Sequence, residues 1–271
     1  MKKLVISGVR IQQLISDDYD FFGKIAVAKD LGDFESATID HCPKRFDVQS
    51  IIAIRFHRNA RPNILFRWVP DPNLRRFFDG NYTDFGYLLD PFHQRAWGTE
   101  SLEVHRLRDI APDRFEASEY VASYFQGTRM VDEMGFVMGI DADASLHLSL
   151  GRNVGGRRIR RSELEQFRLM SKVLAPKLGV IAHQEQTSPD LHDPTLKDRY
   201  FAIAQQDGTP ISKRESEVAA LVVQGHSSRS IGLILSISRQ TVKVHRRTLY
   251  RKLNISSQSQ LFGLLTDKRL I

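Results

Sequence analysis

Cysteine is nearly absent from this 271-residue chain: Cys42 stands alone. A single thiol makes no internal disulfide, and no Cys/His group has metal-ligand spacing, so neither a stapled fold nor a metal site is expected. Catalytic constellations are missing as well. His41-Cys42 has no activating context, and Asp132-Glu133 are strand neighbours whose side chains point to opposite faces. No catalytic residue and no cofactor is therefore expected. No apolar run approaches the length that crosses a bilayer, which argues against a membrane partner. Met1-Lys2-Lys3-Leu4-Val5-Ile6 looks like the start of a secretory signal, but the run breaks at Ser7-Gly8 and meets Arg10 with no small-residue cleavage site. These absences point to a protein of the reducing cytoplasm. Internal repeats and low-complexity stretches are lacking too.

Acidic residues are scarce at one end only. From residue 210 onward eleven Lys and Arg face three Asp and Glu, a local charge of +8, whereas the whole chain carries +7 and the first 209 residues therefore −1. A nearly neutral body with a compact basic end fits a polyanionic partner.

The chain divides into a larger N-terminal unit, residues 1–183, expected to be a sensor or dimerisation domain, a connecting stretch, 184–209, and a basic C-terminal unit, 210–271. The connection is marked by Gln184-Glu185-Gln186-Thr187-Ser188-Pro189-Asp190, by Pro194 and by Asp207-Gly208-Thr209-Pro210. A short helix from Thr195 to Gln206 fits between these breakers, capped by Thr195. Upstream, Val48 to Phe56 and Ile64 to Val69 are branched and aromatic, as strands are. Met130 to Ile140 and Ser145 to Leu150 form a hairpin around Asp141-Ala142-Asp143-Ala144. In its second arm Leu146, Leu148 and Leu150 alternate with His147 and Ser149, which predicts one apolar and one polar face. Ser162-Glu163-Leu164-Glu165 has capping-box spacing and opens a helix that Pro176 should kink or interrupt. The expected fold is an α+β sandwich, an antiparallel sheet flanked by helices, followed by a small all-α domain.

That small domain is written as four helices. Ser212-Lys213-Arg214-Glu215 is a second capping box, and Gly225 sits where a helix end needs a left-handed residue. Ser227 caps a short helix that offers Ile231, Ile234 and Leu235 to a core. Ser236-Ile237 makes a tight turn, Ser238 caps a third helix to about Leu253, and a fourth spans about Ser259 to Leu265. Two helices joined by so short a turn describe a helix-turn-helix unit. In the third helix Val242, Leu249 and Leu253 share a core-facing stripe, while Lys243, Arg247 and Arg251 recur every fourth residue on another, beside Gln240 and Val244. Long donors suit guanine edges, an amide suits adenine, and a small apolar group suits a thymine methyl.

The series Ser212 to Val218, Gly225-His226-Ser227, Ile237-Ser238-Arg239-Gln240-Thr241-Val242-Lys243-Val244-His245 and Lys252-Leu253 resembles the DNA-binding domain of LuxR-type regulators (the NarL/FixJ/LuxR group). The likeness departs at Ser230, Thr248 and Gln258. It implies double-stranded DNA as partner, with Lys243, Val244 and Arg247 reading bases and Thr241, His245 and Arg214 holding phosphates. Gln240, Arg239 and Arg251 complete the expected DNA-binding set. It also implies a homodimer on an inverted repeat, with RNA polymerase as a further partner. A sigma-factor-type domain would need a second nucleic-acid-binding region in the −1 body, and no aromatic sheet motif of RNA modules is seen.

Tyr87-Leu88-Leu89-Asp90-Pro91-Phe92, Ser118-Glu119-Tyr120, Asp132-Glu133-Met134-Gly135-Phe136 and His147 to Arg152 resemble the GAF-like or autoinducer-binding-like sensor domains attached to such regulators. Aromatics crowd residues 64 to 97: Phe66, Trp68, Phe77, Phe78, Tyr82, Phe85, Tyr87, Phe92 and Trp97. Trp68, Tyr87, Asp90 and Tyr120 are the candidate contacts to a small-molecule effector. The competing readings are an ordinary aromatic core and a ligand-free dimerisation or protein-interaction scaffold.

Overall fold

A computed structural model of the chain describes residues 16–266 except 76–80, 85, 98–100, 119–120, 123–125, 154 and 185–193. Two helices come first, α1 (16–27) and α2 (Leu31–Phe46). Strands β1 (Ser50–His57), β2 (Asn63–Trp68), β3 (Glu103–Arg106), β4 (Met130–Gly139) and β5 (Ala144–Asn153) follow, and then the long α3 (Arg161–Gln184). The strands form one antiparallel sheet in the order β2-β1-β5-β4-β3. Single-turn helices fill the β2–β3 connection, among them Gly86–Leu89 and Pro91–Arg95.

Two-residue periodicity sorts the sheet into two faces. Leu148 lies opposite Ala53 and Phe136, and all three pack beneath α1, α2 and α3 with Leu146, Leu150, Phe34, Phe167 and Leu174. His147 lies opposite Ile54 and Val137 and points the other way. That second face is not the wet face that alternation predicts. Ser145, His147 and Ser149 are all buried, with the turns between β2 and β3 packed over that face, Phe92 against His147. Gly135 is needed there: a Cβ on it would stand 2.7 Å from Cε1 of His147 and 3.0 Å from the Leu148 carbonyl.

The long helix begins one residue before the expected cap. Arg160 occupies the cap position, and its N–H donates to Oε2 of Glu163 at 2.8 Å, half of a capping box with the acid as sole side-chain partner. Pro176 does not interrupt α3, which runs 24 residues through it. Pro176 and Lys172, whose carbonyl loses the bond, both lie on the exposed side, where that carbonyl is open to solvent. Arg152, 0% exposed, joins this helix to α2: it donates to the carbonyls of Phe46, Asp47 (3.0 Å) and Arg157 (2.9 Å) and to Glu163 Oε1 (3.1 Å).

Downstream lie α4 (Leu196–Gln206), α5 (Lys213–Val223), α6 (Ser228–Ile234), α7 (Arg239–Lys252) and α8 (Gln258–Thr266). Helix α4 starts at the expected cap, with Thr195 accepting from the Asp198 N–H. It packs on α5 and α8, and the Tyr200 hydroxyl donates to the Leu261 carbonyl at 3.0 Å. No helix among the described residues is long and apolar enough to cross a membrane.

Candidate nucleic-acid interface

Local sequence sets each joint of the C-terminal unit. The Glu215 N–H donates to Ser212 Oγ at 3.1 Å and the Ser212 N–H to Glu215 Oε2 at 2.6 Å, so the predicted capping box is complete. Lys252 Nζ reaches the same oxygen at 2.8 Å and ties the end of α7 to the start of α5. Burial alone would raise the Glu215 carboxyl, but the Lys252 and Ser212 bonds outweigh it and hold the group low. Gly225 ends α5 at φ +96°, and the His226 N–H returns to the Leu221 carbonyl at 3.0 Å, a Schellman ending. Between α6 and α7, Ser236 is left-handed (φ 54°) and the Ile237 N–H bonds Gly232 at 2.9 Å. A Cβ on Gly232 would be 2.7 Å from the Ile237 carbonyl, so this tight turn requires glycine. Ser238 accepts from the Thr241 N–H at 3.0 Å and starts α7.

Helix α7 is two-faced. Val242 and Leu249 are 0% exposed, and Leu253 packs against the same core. Gln240, Lys243, Val244, Arg247 and Arg251 are exposed together along the opposite side, with Arg239 and Thr241 at the helix head. His245 is half-buried. Arg246 leaves the stripe and lies over the Tyr250 ring, 5.1 Å from its centre. Arg214 stands apart from α7 as well. Its guanidinium donates to Glu217 Oε2 at 2.8 Å and to the Leu235 carbonyl at 2.6 Å, pinning the end of α6 to α5. Ile234 is 51% exposed and so is not the core residue its spacing predicts; α6 is short, and Ile231 alone reaches deep into the core from it.

The predicted effector residues are not gathered in one place. Tyr87 and Asp90 are buried on the second sheet face, whereas Trp68 packs against the core under α2 and α3. Tyr120, Phe77, Phe78 and Phe85 lie outside the described residues. Around Tyr87 the rings pack on one another: Tyr87 on His93 (4.9 Å between centres), His93 on Trp97 (5.6 Å), Phe92 on His147 (4.5 Å), and His147 stacked on Phe56 (5.7 Å). The Asp90 carboxylate accepts from the Tyr82 hydroxyl at 2.6 Å and from the Phe92 N–H at 2.8 Å, capping the turn that Pro91 begins. Beside it stand three further titratable groups, the buried His147 and the half-buried His93 and Glu133. Burial pushes His93 down to about 3 and His147 to about 4, and it raises both Asp90 and Glu133. For Glu133 and His147 the signal in the sequence is a polar residue at a strand position among apolar neighbours.

The two units are joined by a strip that sequence reading also missed. The Arg114 N–H donates to the Gly225 carbonyl at 2.9 Å, the Ser227 N–H to Asp113 Oδ1 at 2.8 Å, and Gln224 Nε2 to the Leu88 carbonyl at 3.1 Å. The end of α5 and the turn after it therefore rest on the N-terminal unit.

Residues 209–265 match the pattern of "Bacterial regulatory proteins, luxR family". An Aeromonas salmonicida protein described as an HTH-type transcriptional regulator in the exeN 3′ region is 30% identical over 188 residues, spanning 66% of this chain and 93% of that one. The nitrate/nitrite response regulator NarP of Escherichia coli is 42% identical over 75 residues, 27% of this chain and 35% of its own. Among solved structures, the VqsR LBD domain of Pseudomonas aeruginosa is similar to 62% of this chain over 98% of its own length, with TM-score 0.52 and 25% identity.

Proposed function

The chain belongs to the luxR family of bacterial regulatory proteins, DNA-binding transcription regulators, and on that premise we propose that it acts as a homodimer on an inverted-repeat operator under small-molecule control. The carrying observation is the division of α7, with Val242 and Leu249 in the core and Lys243, Val244 and Arg247 presented together to solvent. Laid in a major groove, those three side chains meet base edges, with Gln240 and Arg251 on the same side. Arg239, Thr241 and His245 border the stripe and take the flanking phosphates. Arg214, committed to Leu235 and Glu217, supports the α5–α6 joint and contacts the backbone only with what that geometry leaves free.

Dimerisation is supported by the outer side of α3. Leu169 (64% exposed), Val173, Pro176 and Val180 (58%) fall on one helical stripe. Helix α1 lies alongside, held by Lys177 Nζ on the Ala26 carbonyl at 3.1 Å, and adds the exposed Tyr19 and Val27. A second copy would cover this apolar surface by two-fold symmetry and set two α7 helices one DNA turn apart. RNA polymerase is the partner through which such a complex changes transcription.

The ring-on-ring packing around Tyr87, with Asp90 already satisfied, favours the core reading of that cluster and, at that position, the scaffold alternative. Selection of binding duplexes from a random pool by the purified full chain tests the main reading. Recovery of one symmetric motif is expected, and recovery of no motif would refute it.

A further inference from the structure

A cavity of about 590 Å³ opens at the β3–β4 end of the sheet. Its volume falls in the range of small-molecule sites. Leu107, Phe115 and Met130, all buried, give it an apolar floor.

The backbone is bent to build this space. In a regular strand successive side chains alternate between faces, yet Arg129, Met130, Val131 and Asp132 all line the cavity. Arg129 is left-handed, with φ 55°, and the β4–β5 register slips between Met130 and Asp132. Met130 pairs with Asn153 and Asp132 with Arg152, so Val131 is the extra residue of a bulge. A non-glycine residue in that region and a bulge at one wall are features that re-aim side chains toward a site.

The charges are unevenly committed. Arg108 pairs with Asp132 at 3.2 Å and donates to the Ile159 carbonyl at 2.5 Å, while Asp132 also accepts from the Ile159 N–H at 2.8 Å. Asp113 holds Ser227. Arg129 and Arg158, both exposed, have no hydrogen bond or ion pair among the described residues. Glu116 is a further acidic residue of the lining.

We propose that this cavity binds an amphipathic carboxylate, its apolar part on Leu107, Phe115 and Met130 and its head between the Arg129 and Arg158 guanidiniums. The assignment rests on the reading of the chain as an effector-controlled regulator, and it supplies the effector site that the aromatic cluster does not. Occupancy reaches the DNA-binding unit because Asp113 and Phe115 wall the cavity and also meet that unit. Asp113 binds Ser227, and a Cβ on Gly225 would lie 3.1 Å from Cα of Phe115. A ligand that shifts this wall shifts the platform under α5 and α6.

The test is calorimetric titration of the full chain with octanoate, decanoate and 4-phenylbutyrate, with octanamide as the neutral control. At least one carboxylate should bind saturably below millimolar concentration, and octanamide at least tenfold more weakly than octanoate. An Arg129→Gln/Arg158→Gln double variant should lose at least tenfold in affinity at unchanged thermal stability, since both side chains are exposed. Hydrogen exchange at the Ser227 amide should change on binding in the parent chain. No binding by any carboxylate, or equal affinity in the double variant, would overturn the site; binding with Ser227 exchange unaltered would overturn the coupling. A Lys243→Ala variant separates the two readings: it should bind carboxylate normally while discriminating DNA sequences less, and a chain that takes carboxylate but selects no DNA keeps the site and loses the regulator.

Discussion

The Ser227 N–H and the Asp113 carboxylate are 114 positions apart in sequence and 2.8 Å apart in space. Burial alone would raise the Asp113 carboxyl, but the bonds from Ser227 outweigh it and leave the group below its ordinary value. A depressed acid stabilises the docked arrangement above its unfolded pKa and ceases to do so as pH falls through the folded one. Asp113→Ala is expected to weaken docking by about 1 kcal/mol, the worth of one partly exposed hydrogen bond. Faster hydrogen exchange at the Ser227 amide at neutral pH would register it, and unchanged exchange would show that the bond does not hold the units together.

Removing the Glu163 charge should be costly. Arg152, fully buried, and Arg157 both donate to it, the latter at 2.6 and 2.8 Å. Against the burial that would raise it, these bonds and the Arg160 N–H pull the carboxyl down to about 2. Glu163→Gln leaves the Arg152 charge short of its partner, a loss of about 3 kcal/mol. In the parent chain this contribution is present above the ordinary glutamate range and fades as pH drops toward 2. Urea unfolding at pH 7 and pH 3 measures both: the gap between parent and variant should shrink at the lower pH.

Glu133 has the opposite sign. Burial, and next the neighbouring Asp90 carboxylate, push it up to about 8. Protonated Glu133 suits the fold, so stability is intact below the ordinary glutamate pKa and is lost as pH rises toward 8. Glu133→Gln keeps the neutral shape. It is expected to raise the melting temperature at pH 8.5 and to leave it nearly unchanged at pH 5. A lower melting temperature at pH 8.5 would contradict the assignment.

A charge on the α3 stripe should break the proposed dimer. Leu169→Glu and Val180→Glu place carboxylates where a second copy would bury apolar surface, while both positions are exposed in the single chain. Sedimentation should then show monomers with unchanged helical content. Dimers of parental affinity would move the interface elsewhere.

Much of this was legible in the sequence, for physical reasons that differ by region. The C-terminal unit is built from local rules, so the caps at Ser212, Ser227 and Ser238 and the left-handed Gly225 could be read directly. The hairpin of β4 and β5 was equally plain from its alternation. What failed depends on distant neighbours. His147 and Ser149 alternate like solvent-facing residues, and only the layer folded over them makes them buried. Trp68 belongs to the aromatic-rich stretch by sequence but to the other core by strand parity. Pro176 stays helical because its side of α3 is wet. The Asp113 strip and the carboxylate cavity join segments that no local pattern links.

The central claim is that the exposed face of α7 reads DNA sequence. It is tested most directly by competition binding of Lys243→Ala and Arg247→Ala variants to the selected operator and to a scrambled duplex. Each variant should lose about 1–3 kcal/mol on the operator and little on the scrambled duplex, so that discrimination narrows. Discrimination equal to that of the parent chain in both variants would contradict the account.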